Sequence, residues 1–198
     1  SWQYDFCTRL LKMSSYRHPV PPVPSFLCQP TRGGKSLVRD VFTTGRGVVS
    51  WCIGPLLALG AAQKSKINKC SLLQDGHTFA IHLDAYHSQS QQIGIWNELN
   101  KYTRQSNISV VVLSSPQVIC SSDLVQEMFT DLLDQNALQL LCIDKAHLFV
   151  QFGLYFRDEF LQLKQLVFAK CLIANNPRFT KIPVLFMTAT STTTILRQ

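Results

Sequence analysis

Phe26-Leu27-Cys28-Gln29-Pro30-Thr31-Arg32-Gly33-Gly34-Lys35-Ser36-Leu37-Val38 decides how the rest of the chain is read. A short apolar run enters a turn from Pro30 to Gly34. Beyond it, Leu37, Val38, Val41 and Phe42 fall on one helical face, with Arg39 and Asp40 on the other. Gly45 and Gly47 end that helix. The order is strand, glycine turn, helix. Residues 29–36 fit the template of a phosphate-cradling loop, with Gln29 in place of its first Gly or Ala. Glycines let backbone N–H groups turn toward phosphate oxygens, and the helix N-terminus adds a positive field. Lys35 can then reach the outer phosphates of a nucleotide, and the Ser36 hydroxyl can ligate Mg²⁺.

Outward from this loop the same alternation repeats. Val48 to Ile53 reads as a buried strand, and Gly54-Pro55 opens a helix through about Lys66. Phe79 to Leu83 is a strand. Gln91 to Tyr102 is amphipathic, with Ile93, Ile95, Trp96 and Leu99 inward. Val110 to Leu113 is a strand stopped by Ser114-Ser115-Pro116. Leu124 to Leu133 is helical, Leu138 to Ile143 a strand, Tyr155 to Phe168 a helix and Val184 to Met187 the last strand. Apolar strands alternating with helices imply an α/β fold, a mostly parallel sheet with helices on both faces. Ligands of such sheets bind beyond the carboxyl ends of the strands. Residues 1–24 read as an extended, Pro-rich lead-in, because His18-Pro19-Val20-Pro21-Pro22-Val23-Pro24 blocks helix. Residues 25–198 read as the domain.

A chain of 198 residues suits one domain, and a net charge of +7 admits an anionic partner, nucleic acid first. An ordinary basic domain carries equal weight on charge alone. No apolar stretch approaches a membrane span, and the N-terminus is not a secretory signal. The chain lacks an initiator Met, so its numbering is expected to start inside a longer product. Seven scattered cysteines form no C-x-x-C pair, which suits reduced thiols in an intracellular protein. His77, His82 and His87 recur every five residues. That is neither a metal-helix nor a strand period, so they are expected to flank a strand and its loop. Asp84, beyond that strand, suits a surface position.

Further motifs carry a resemblance. Residues 30–36 resemble motif I of RecQ-type helicases in Superfamily 2, P-T-G-G-G-K-S. Arg32 adds bulk where a third glycine is common. Gly54-Pro55-Leu56-Leu57-Ala58-Leu59 is similar to motif Ia, and Ser114-Ser115-Pro116-Gln117 to the motif Ib region. Asp144-Lys145-Ala146-His147 is similar to D-E-A-H, motif II, and Thr188-Ala189-Thr190 to motif III. His147-Leu148-Phe149-Val150-Gln151-Phe152-Gly153 with Phe156-Arg157 resembles the aromatic-rich loop of that family, although Phe149 equally suits core packing. The resemblance runs from about Ser25 to Thr190.

It implies the first RecA-like, P-loop NTPase domain of a 3′–5′ ATP-dependent DNA helicase, intracellular and nuclear, with ATP and Mg²⁺ as cofactors. Pro30, Thr31, Arg32, Gly33, Gly34, Lys35 and Ser36 would bind ATP. Ser36 and Asp144, expected one sheet position from the loop, would share the metal. His147 and Gln151 would link nucleotide to the aromatic loop, and Thr188, Ala189 and Thr190 would couple hydrolysis to domain closure. Pro55, Leu56, Ser115, Pro116, Phe152, Phe156 and Arg157 would meet single-stranded or forked DNA.

The pattern breaks at Lys145, which stands where motif II carries its glutamate. A lysine cation cannot take a proton from water and repels Mg²⁺, so hydrolysis is expected to be impaired. Gln3 stands too far from the loop in sequence to match the family's adenine-reading glutamine. The second helicase domain is expected to be absent, since the chain ends soon after motif III. Three functions compete: a helicase ATPase domain, truncated or degenerate; a non-catalytic nucleotide- or nucleic-acid-binding remnant of a mobile-element or duplicated helicase; and, weakest, a P-loop kinase, which would have no use for motif Ia or the aromatic loop.

Overall fold

The strands are short and mostly apolar, and that composition decides where they lie. The computed structural model describes residues 2–14, 24–30, 33–43, 47–54, 57–69, 78–103, 107–148, 158–163, 165–166 and 182–189. Strands β1 (Ser25–Cys28), β2 (Val49–Ile53), β3 (Thr78–His82), β4 (Ser109–Ser114), β5 (Leu138–Asp144) and β6 (Val184–Thr188) form one sheet in the order β1-β6-β5-β2-β4-β3. Every pairing is parallel. β2 and β4 are buried along their whole length. A strand without polar alternation needs cover on both faces, and helices supply it.

The helices are α1 (Trp2–Ser14), α2 (Lys35–Thr43), α3 (Leu57–Lys69), α4 (Gln89–Thr103), α5 (Pro116–Ser121), α6 (Asp123–Asp134) and α7 (Asp158–Leu163). Alternate strand residues face opposite layers. Val110 and Val112 of β4 join a core with Trp51, Leu141, Leu99 of α4, Phe129 of α6 and Leu163 of α7. Val111 and Leu113 join a second core with Cys52, Cys142, Cys7 of α1, Phe42 of α2 and Ile67 of α3. Trp51 anchors the first. Its ring meets Phe129 edge-on at 5.1 Å, and its indole N–H donates to the Ser114 hydroxyl at 2.7 Å. That satisfies the one polar atom of a wholly buried side chain.

Three expectations need correction, and a fourth gains a helix. Residues 1–24 are not extended throughout: residues 2–14 form α1, which lies on α2 and buries Cys7. On α2 the buried face is Val38, Arg39, Phe42 and Thr43, while Leu37 and Val41 are exposed. Arg39 therefore lies inside, held by polar partners described below. Ile93 of α4 faces solvent rather than the core. β4 ends at Ser114, as expected, and Ser115-Pro116 goes on to open a helix. Ser115 caps α5, accepting the Val118 N–H at 3.4 Å, and Pro116 fills the first helical position, where no N–H is needed. Within the helix expected over Tyr155–Phe168, α7 spans Asp158–Leu163, and most of the remainder lies outside the described residues.

Candidate nucleotide site

Three strands deliver the site at their carboxyl ends. Cys28 of β1 is level with Thr188 of β6, and Met187 of β6 is level with Asp144 of β5. The glycine loop and Asp144 thus flank β6, two strand positions apart. This corrects the single position expected.

After Cys28 the backbone of Gln29 donates to the Thr188 carbonyl at 3.1 Å, tying the loop to β6. Gly33 N–H returns to the Pro30 carbonyl at 2.9 Å, and Leu37 N–H to the Gly34 carbonyl at 3.1 Å. Both glycines are required. A Cβ on Gly33 would lie 2.9 Å from the Pro30 oxygen, and Gly34 has φ +79°. The Lys35 ammonium donates to the carbonyls of Gln29 at 2.6 Å and Pro30 at 2.8 Å, so its charge sits over the loop. Ser36 follows in the first turn of α2, half-buried. Gln3 enters as a further neighbour. α1 carries its amide nitrogen to 3.3 Å from where a Gly34 Cβ would stand, so sequence distance was a poor guide to its place.

At the end of β5, Asp144 Oδ1 accepts the Lys145 backbone N–H at 2.9 Å, and Oδ2 lies 3.4 Å from Gln63 Nε2. Lys145 occupies the left-handed region, φ 54°. The chain then turns back, with Ala146 N–H donating to the Met187 carbonyl at 2.8 Å and Leu148 N–H to the Lys145 carbonyl at 2.9 Å. The turn aims His147 at β6, where its Nδ1 lies 2.8 Å from the Thr188 hydroxyl. Burial pushes the His147 pKa down, and the Lys145 cation adds to this, against the opposing pull of Asp144. The ring is therefore neutral near pH 7.

Ser36 and Asp144 offer a hydroxyl and a carboxylate, hard oxygens of the kind Mg²⁺ takes. Among the described residues Asp144 Oδ2 has the long contact to Gln63, which leaves it lone pairs for a metal. The donor set fits that ion.

Sequence reasoning missed what stands behind Asp144. Arg39, 2% exposed, donates to Asp40 Oδ1 from Nε at 2.8 Å and from Nη2 at 2.6 Å. Its Nη1 donates to Gln63 Oε1 at 3.2 Å and to Cys52 Sγ at 3.4 Å. Gln63 passes the link on to Asp144. No motif encodes this relay, since Arg39, Gln63 and Asp144 come from three distant segments.

The structure brings Pro30, Gly33, Gly34, Lys35, Ser36, Asp144, Lys145, His147, Thr188 and half-buried Ala189 to the ends of three strands. Ser115 and Pro116 are buried beyond β4, two strands away. Thr31, Arg32, Pro55, Leu56, Gln151, Phe152, Phe156, Arg157 and Thr190 lie outside the described residues. Among the described residues no group of His, Cys, Asp and Glu could hold a metal by itself, and His77 lies outside them. No described helix is long and apolar enough to cross a membrane.

No protein-family model matches the chain. It is 25% identical over 166 residues to the RecQ-like DNA helicase BLM of Xenopus laevis, covering 84% of this chain and 11% of that protein. It is 28% identical over 170 residues to the ATP-dependent DNA helicase Q-like 4B of Arabidopsis thaliana, covering 86% of this chain and 13% of that protein. The chain thus spans about an eighth of these relatives. Among solved structures, the UvsW helicase of bacteriophage T4 matches 99% of the chain, which covers 55% of it, with TM-score 0.53 and 12% identity. RecG bound to a three-way DNA junction matches 96%, of which the chain covers 20%, with TM-score 0.57 and 15% identity. The chain has the α/β fold of a RecA-like helicase domain, and its sequence is similar to RecQ-like DNA helicases.

Proposed function

We propose that this chain is the ATP-binding domain of a RecQ-type DNA helicase, taking Mg²⁺-ATP at the carboxyl ends of β1, β6 and β5, with hydrolysis slowed by Lys145. The observation that carries this reading is the placement of Lys35 over a glycine loop hydrogen-bonded to Thr188, with His147 on the same threonine from the Asp144 side. In this reading loop N–H groups and the Lys35 ammonium would bind the phosphates, while Ser36 and Asp144 would hold Mg²⁺, whose charge would offset that of the phosphate oxygens. Thr188 sits between the two half-sites and senses both. DNA would be the partner, since the relatives are DNA helicases, in the single-stranded or forked form that the aromatic loop suggests; a second helicase domain would complete the motor, and an intracellular, nuclear setting suits that role.

Lys145 also favours a second reading: a remnant that binds nucleotide and nucleic acid without turnover. The position calls for a carboxylate to accept a proton from water, and an ammonium cannot. One set of assays separates the two. A fluorescent ATP analogue should bind the wild-type chain and lose affinity in Lys35→Ala. Lys145→Glu should raise ATP turnover by about 10²–10⁴-fold, the usual worth of a positioned general base. Equal turnover in both proteins sinks the role given to Lys145. Stimulation by single-stranded DNA marks a motor, and its absence alongside DNA binding marks the remnant.

A further inference from the structure

At the opposite edge of the sheet from the glycine loop, a cleft of about 680 Å³ opens between α3, β3 and α4. Small-ligand sites run from about 300 to 1,000 Å³. Several of its polar groups are set as donors. Asn68 Oδ1 accepts the Ala80 N–H at 2.9 Å, which leaves the amide NH₂ as the free end. His87 Nδ1 accepts the Asp84 N–H at 3.1 Å, so the neutral ring carries its proton on Nε2, again a donor. Lys64 stands exposed on the α3 wall. Glu98 is the carboxylate of the lining, and it already accepts the Tyr102 hydroxyl at 3.1 Å.

His82 adds a second histidine to the lining. It is 9% exposed and lines the cleft, with the Nε2 end of its ring packed toward Gly60. Its place is fixed by shape, since a Cβ at Gly60 would collide with the ring. Opposite the donors, Phe79, stacked on Tyr102 at 5.2 Å, and Ile95 give the cleft an apolar wall.

We propose that this cleft is a second ligand site, for a phosphate ester: the phosphate meets Lys64, Asn68 and the two histidines, and the organic part lies on Phe79 and Ile95. Phosphate esters of this size come free, as mononucleotides, or as units of a nucleic-acid strand. The site is separate from the glycine loop and does not rest on the ATP reading. Its test uses the whole chain and the Hε1 resonances of His82 and His87 in proton NMR. The probes are inorganic phosphate, AMP and a 20-residue oligothymidylate. Saturable shifts at both histidines are expected with inorganic phosphate and AMP, kept in Lys35→Ala and weakened about tenfold in Lys64→Glu, whose charge reversal is on an exposed side chain. Oligothymidylate shifting the same two resonances assigns the site to a strand, and silence with it assigns the site to free esters. Either supports the anion site. Unmoved histidines with phosphate and AMP, or equal affinity in Lys64→Glu, overturn it. Loss of ATP-analogue binding in Lys35→Ala reports on the other site alone, so the two ideas fail separately.

Discussion

His147 Nδ1 and Thr188 Oγ1 lie 2.8 Å apart and close the turn after β5 onto β6. The threonine is 3% exposed and the histidine half-buried. Thr188→Val keeps the shape and removes the hydroxyl. It should lower unfolding free energy by about 1–2 kcal/mol, the cost of leaving a ring nitrogen unpaired. Thr188→Ser should recover most of that. Urea denaturation of the three proteins decides the matter, and a neutral Thr188→Val would mean that water replaces the hydroxyl freely.

Two histidines make stability depend on pH in one direction. Burial pushes His147 down, with Lys145 adding; burial also pushes His82 down, against Asp84, with His87 and Lys64 adding. Each binds its proton more weakly folded than unfolded. Below the ordinary histidine range the unfolded chain therefore holds more protons, and stability falls as pH drops through about 6.5 toward the lowered folded values. Denaturant midpoints at pH 7.5 and 5.5 should show the loss, and His82→Gln should flatten the slope. Lys145→Glu should move the His147 titration upward by NMR, since it removes a cation and adds an anion.

Backbone conformation supplies a prediction that owes nothing to charge. Asn136 has φ 54° just past α6. Its N–H bonds the Leu133 carbonyl and the Ala137 N–H bonds the Leu132 carbonyl, each at 3.0 Å. This paired closure asks for a left-handed residue, and asparagine tolerates it where most residues do not. Asn136→Gly should be neutral to stabilising by up to about 1 kcal/mol, and Asn136→Val destabilising by about 1–2 kcal/mol. Thermal midpoints that ignore both changes would show that the last turn of α6 contributes little.

The glycine loop offers a sharper contrast. In Gly33→Ala the new methyl would stand 2.9 Å from the backbone oxygen of Pro30, which cannot swing aside as a side chain can. Gly33→Ala should therefore weaken binding of the ATP analogue at least tenfold while α2 and the sheet stay folded, because the turn must reopen. Gly54→Ala is the control, since a Cβ there meets nothing within 4 Å. Equal affinity in the two variants would detach the loop from nucleotide binding.

Much of the sheet was legible because its strands are short apolar runs between turn residues, and a parallel sheet buries such runs on both faces. Strand order was not. β6 slips between β1 and β5 although it comes last in the chain, and nothing local to Val184–Thr188 announces that neighbourhood. α5 was missed because Ser115-Pro116 reads equally as a stop and as a cap with proline in the first turn. The glycine loop and Asp144 were legible as spaced motifs. Arg39 was not, since periodicity sends a charge to the outer face, and only the fold brings Gln63, Cys52 and Asp40 to it.

That buried arginine carries the last prediction. Arg39→Met keeps an unbranched stem of similar reach but leaves Gln63 Oε1 without its guanidinium donor and removes the cation beside Asp40. Asp40, 16% exposed, can turn toward solvent, so the penalty should fall below that of a fully buried pair cut in half, at about 2–3 kcal/mol. Gln63, freed at one end, holds Asp144 less firmly from the other, so affinity for the Mg²⁺-ATP analogue should drop several-fold while affinity without Mg²⁺ stays. Gln63→Leu separates the two effects, because it spares the Arg39–Asp40 pair while removing both ends of the Gln63 bridge, to Arg39 Nη1 and to Asp144. If Gln63→Leu leaves Mg²⁺ dependence untouched, Arg39 is a packing residue and the relay carries no positioning role.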